Sequence, residues 1–206
     1  RAAALRAKFS FPGVRLLDAG DWPGERELYV IVVGEASRRT EWSLYGYVRQ
    51  TTPLLDAISK DLIVFDDVTS NANITINSVP MVLTRATPDS FGITYSETSI
   101  LSLLRQAGYE VYWISNQDRY GRNDSPVSAI ASQANFTSFT DAVDANGGTA
   151  LYDSNLLPRF ADVLRETKSR KVVVFLHMMG SHFFYGDRYP SAFDMFRGSK
   201  GFPRQL

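Results

Sequence analysis

Apolar positions along this chain alternate between short unbroken runs and stretches of helical spacing. Residues 28–33 (LYVIVV) form a β-branched run closed by Gly34, which predicts a buried strand. Residues 62–65 (LIVF), 109–114 (YEVYWI) and 171–176 (KVVVFL) predict a second, third and fourth strand. Between them, residues 51–59 predict a helix with Pro53 tolerated in its first turn. In residues 96–107, Ile100, Leu101, Leu103 and Leu104 fall on one helical face, and Gly108 supplies the stop. Residues 155–167 predict another helix, with Pro158 near its start. Strand and helix in alternation mean parallel strands joined by crossover helices. The expected fold is α/β, a mostly parallel central sheet with helices on both faces.

Sheets of this kind gather functional groups just past the carboxyl ends of their strands. Four segments are expected there: Gly34-Glu35, Asn71 to Pro80, Asn116-Gln117-Asp118, and His177 to His182. Glu35 is either an ordinary solvated acid or a metal ligand or general base held by the rigid sheet beneath it. The run 70–78 (SNANITINS) is either a polar loop with a helix cap or a hydroxyl placed at a helix N-terminus, where an anion is favoured. Pro80 predicts that any helix here is a single turn or kinked. Asn73 and Asn135 begin N-x-T triplets, which arise often by chance.

Composition narrows these choices. The 206 residues carry 22 basic and 22 acidic side chains, so no bulk positive charge exists to hold a nucleic acid. The apolar runs are too short to cross a bilayer. There is no cysteine, which excludes disulfides, thiolate metal sites and cysteine nucleophiles. The only two histidines, His177 and His182, lie together after the last predicted strand, which favours function over packing for both. Residues 1–27 read as a basic linker or a juxtamembrane segment whose anchor lies upstream, and residues 28–206 as the folded domain.

In order and spacing, five segments resemble the phosphoethanolamine transferases, membrane-anchored enzymes of the alkaline phosphatase/sulfatase superfamily. They are VVGEASRRTEWSLYGYVRQTTPLL (32–55), SNANITINSVP (70–80), YWISNQ (112–117), YDSNLLP (152–158) and LHMMGSHFFYGDRYP (176–190). The resemblance implies that Glu35 is a zinc ligand and that Thr75 is the zinc-bound nucleophile, modified during a two-step transfer. It implies that His182 engages the phosphoryl group or a second zinc, and that Asn116 and His177 contact substrate. The cofactor would be Zn2+ and the donor phosphatidylethanolamine. The acceptor would be lipid A, lipopolysaccharide core or another envelope glycan. The domain would face the periplasm, anchored to the inner membrane.

The sequence departs from that pattern in two ways. Cysteines found in several relatives are replaced by Asn71 and Met81, so the nucleophile loop lacks their clamp. The family's remaining zinc ligands are an aspartate–histidine pair, and this chain has no Asp-His dipeptide and no histidine after His182. The expectation is an incomplete catalytic domain, weak in zinc binding and turnover by itself, with those ligands beyond Leu206. The alternatives are a phosphoglycerol transferase or another hydrolase of the superfamily, and a non-catalytic sulfatase-like binding domain. The cysteine or serine setting of a classical sulfatase nucleophile is absent.

Overall fold

A computed structural model describes residues 26–117, 126–140, 152–183 and 185–196. Four strands form one sheet: β1 (Glu27–Val33), β2 (Glu110–Ser115), β3 (Phe136–Phe139) and β4 (Lys171–His177). Their order is β1-β4-β2-β3, and every neighbouring pair is parallel. The register aligns the exits: Val33 pairs with His177, and Ser115 pairs with both His177 and Phe139. Four carboxyl ends therefore finish level along one edge, which is the condition for residues remote in sequence to meet.

Five helices accompany the sheet: α1 (Pro53–Ala57), α2 (Thr75–Leu83), α3 (Ile100–Gln106), α4 (Pro126–Ala131) and α5 (Leu156–Glu166). On one face Val79 and Leu83 of α2, Leu101 of α3 and Val127 and Ile130 of α4 pack on Val111, Trp113, Val173 and Phe175. On the other, Leu156 of α5 joins Ile114, Val172, Val174 and Leu176. Successive residues of β4 thus enter opposite cores, which explains its unbroken apolar sequence. The predicted α/β architecture with helices on both faces is borne out.

Several expectations are corrected. Residues 62–65 form no strand; Ile63 and Phe65 are exposed, and no neighbouring strand pairs with them among the described residues. β1 is a strand but not a buried one: Leu28 to Val32 are all exposed, Val32 by 58%. It is one of the two edge strands of the described sheet, paired only with β4. Neither β3 nor α4 was anticipated. The helix at Thr75 runs on through Pro80 for three further residues, which excludes the single turn of the two forms expected there, a single turn or a kinked helix. Pro80 is fully buried, so packing offsets the backbone hydrogen bond that its ring removes. The basic segment 1–25, Asp118 and Phe184 lie outside the described residues.

Candidate active site

The site is assembled at the level edge of the sheet. β1 ends at Val33, and the following turn presents Glu35; Ala36, next to it, holds a left-handed backbone with φ of 48°. A residue with a Cβ is strained in that region, and such strain persists only where surrounding structure imposes it. Part of that structure is the loop leaving β4. The Met178 N–H donates to Val33 O (3.0 Å), and the Ser181 N–H donates to Glu35 O (2.9 Å). Gly180, with φ of 50°, lies directly against the Glu35 backbone.

Thr75 is the first residue of α2, following Ile74 as N-cap. Its hydroxyl donates to Glu35 Oε2 at 2.5 Å, closing a gap of forty positions in sequence. The backbone N–H groups of Thr75 and Ile76, in the first turn, have no helical carbonyl to pair with. A hydroxyl, a carboxylate and a helix N-terminus therefore converge. Gln117 joins them: its side-chain amide donates to Glu35 Oε2 (3.3 Å) and to Met178 O (2.8 Å).

Asn116 and His177, expected to touch substrate, lie buried behind this front, with 0% and 2% of their surface exposed. The Asn116 side chain donates to Asp153 Oδ1 (3.1 Å) and accepts from the Thr140 hydroxyl (3.2 Å). His177 shares a hydrogen bond with Ser115 Oγ through Nδ1 (3.0 Å) and lies tilted against the Trp113 ring. Burial holds its imidazole down to about pKa 4, and the negative charge of Asp153 offsets only part of that. His177 is therefore neutral at physiological pH. Its Nε2 is buried without a hydrogen-bond partner. In this structure both residues shape the site from beneath. His182 is half-buried against Phe183, and its Nδ1 also lacks a partner.

Asp153 was not foreseen, although it lies in the YDSNLLP segment. It opens the short 3-10 turn Asp153–Asn155 before α5. Oδ1 accepts from the Met179 N–H (2.7 Å) and Oδ2 from the Gly180 N–H (2.8 Å). With Asn116 on Oδ1 as well, one carboxylate ties the exits of β2 and β4 together. Gln117 was expected at this edge together with Asn116 and Asp118, but no role was assigned to it.

Glu35 and Thr75 offer two adjacent oxygen donors of the kind zinc accepts, while a zinc site ordinarily has three or four protein ligands. No cluster of three or more histidine, aspartate or glutamate side chains suited to a metal occurs among the described residues. What is present fits part of a zinc shell.

The sulfatase family model matches residues 27–201. The chain belongs to that family. Within it, phosphoethanolamine transferase EptC of Escherichia coli K12 is 31% identical over 178 residues, covering 85% of this chain and 30% of the relative. The zinc complex of the C-terminal periplasmic domain of E. coli EptC matches with a TM-score of 0.79 at 30% identity, over 90% of this chain and 53% of that one. The integral membrane lipooligosaccharide phosphoethanolamine transferase A from Neisseria meningitidis matches with a TM-score of 0.72 at 27% identity, over 89% and 34%. The chain spans 30 to 34% of the length of the first curated relatives it matches. No described helix is long and apolar enough to cross a membrane.

Proposed function

We propose that this chain carries the nucleophile-bearing part of a phosphoethanolamine transferase, with Thr75 as nucleophile. The 2.5 Å hydrogen bond from the Thr75 hydroxyl to Glu35 carries the reading. It joins the two residues to which the family resemblance assigns chemistry, at a helix N-terminus suited to a phosphate. The similar E. coli and Neisseria proteins lend further support.

Thr75 Oγ attacks the phosphorus of phosphatidylethanolamine, forming a Thr75–O–P bond as the bond to diacylglycerol oxygen breaks. The Thr75 proton passes by way of Glu35 Oε2 to the departing diacylglycerol alkoxide, which leaves as the alcohol, so Glu35 ends the step ionised. The first-turn N–H groups of α2 stabilise charge on the phosphoryl oxygens. An acceptor oxygen of lipid A, lipopolysaccharide core or another envelope glycan then attacks the same phosphorus as the Thr75 O–P bond breaks, and the acceptor's proton restores the Thr75 hydroxyl. Glu35 and Thr75 would hold zinc with donors from outside the described residues, and zinc would supply Lewis-acid activation of the hydroxyl. His182 engages the phosphoryl group. The domain faces the periplasm from an inner-membrane anchor.

The test incubates the natural protein with phosphatidylethanolamine and reads covalent phosphoethanolamine by peptide mass spectrometry. Label is expected on the Thr75 peptide and absent in Thr75→Ala; undiminished labelling of that variant would remove Thr75 from the role. A phosphoglycerol donor in the same assay separates the neighbouring activity. The part-filled metal shell favours a second reading, a non-catalytic glycan-binding domain, and an unlabelled natural protein that retains glycan would establish it.

A further inference from the structure

We propose that Gln117 is a positioning residue for the Glu35 carboxylate, holding Oε2 toward the Thr75 hydroxyl. This rests on the transferase reading above and adds a residue to it. Gln117 is the only described side chain besides Thr75 with a hydrogen bond shown to Glu35, and both donors meet the same oxygen, Oε2. The orientation of its amide follows from chemistry. Met178 O can only accept, so the NH2 group must face it at 2.8 Å, which leaves the second N–H for Glu35 at 3.3 Å.

The backbone of Gln117 is held in turn. Its N–H donates to Ser115 Oγ (3.0 Å), the hydroxyl that also bonds buried His177. The amide therefore stands on the rigid ends of β2 and β4, not on a free loop. Its importance grows during the reaction. Once Thr75 gives up its proton, the Thr75 hydrogen bond to Glu35 no longer exists in that form. The Gln117 N–H is then the donor that keeps Oε2 oriented. A carboxylate that binds a metal depends on such an outer partner, and losing one typically costs about 10–100-fold in metal affinity or activity.

The experiment replaces Gln117 in the natural protein with methionine, similar in length but without donors. Gln117→Asn is made alongside, keeping an amide that is one methylene too short to reach. Circular dichroism selects whichever variants fold. Zinc affinity is read by competition with a chromophoric chelator, and kcat and KM are measured for phosphatidylethanolamine at saturating zinc. The expected result is zinc binding weaker by about 10–100-fold and a kcat reduced by about tenfold, with KM changed less than about twofold. Zinc affinity and kcat within about twofold of the unaltered protein would overturn the proposal, and so would a rise confined to KM. Failure of the transferase reading looks different, because the unaltered protein itself would then take no label.

Discussion

Gly180 and Glu35 are in backbone contact: a Cβ placed on Gly180 would stand 2.7 Å from the Glu35 carbonyl oxygen. That oxygen belongs to the chain and cannot swing aside as a side-chain tip could. The φ of 50° at Gly180 adds a second reason for glycine. Gly180→Ala is expected to cost about 1–3 kcal/mol in stability and to shift Glu35 away from Thr75. Chemical denaturation checks the first effect. Loss of Thr75 labelling in protein that remains folded checks the second, and unchanged labelling would show that the contact yields without moving the site.

Asp153 is expected to matter more than its partly exposed position suggests. Asp153→Ala leaves the Met179 and Gly180 N–H groups without their acceptor and removes one partner of the Asn116 amide. A loss of about 2–4 kcal/mol follows from unpaired donors near a former charge. Denaturant midpoints for the wild type and the variant measure it. A change below about 0.5 kcal/mol would mean that water replaces the carboxylate at no cost.

At Thr75, serine and valine separate hydroxyl from shape. Thr75→Ser keeps an oxygen able to reach Glu35 Oε2 and is expected to retain label at a reduced rate. Thr75→Val has nearly the same volume, no hydroxyl, and no label. Stability of both should lie within about 1 kcal/mol of wild type, since Thr75 is only partly buried.

His177 sets a pH dependence whose direction follows from its depressed value. Its pKa falls from 6.5 in the reference state to about 4 in the fold. Between those values the unfolded chain takes up a proton that the folded one does not. Stability therefore rises with pH through this window, is fully present above about pH 6.5, and declines as pH falls toward about 4. The whole effect is of order 3 kcal/mol. Denaturation at about pH 7 and pH 5 should show a drop larger by about 2 kcal/mol in the wild type than in His177→Gln. Equal drops in the two proteins would place the pH sensitivity elsewhere.

Much of this arrangement could be read from residue pattern, and the exceptions share a cause. The cores of β1, β2 and β4 are apolar runs whose type is set locally. Residues 62–65 have the same composition and no strand, because pairing depends on a neighbour that a short run does not specify. β3 is four residues long and half polar, below what periodicity resolves. Glu35 and Thr75 were visible as strand-end and helix-start chemistry. Their meeting depends on the common register of β1 and β4 and on where α2 packs. Gln117 and Asp153 act through hydrogen bonds to backbone groups of another segment, which residue type alone does not reveal. The same burial that places Asn116 and His177 near the site removes them from its surface.

β1 delivers Glu35, yet its outer backbone edge has no described partner and its Leu28–Val32 side chains are exposed. An apolar edge with no charge from Leu28 to Val33 is a template for strand addition. Preparations of this stretch of chain should therefore self-associate as concentration rises, starting at the strand that leads to Glu35. Lysine at Tyr29 or Ile31 should suppress that association in light scattering while leaving the hydrogen bond between Thr75 and Glu35 untouched. In this molecule, the handling of the protein and the integrity of its site depend on opposite ends of the same strand.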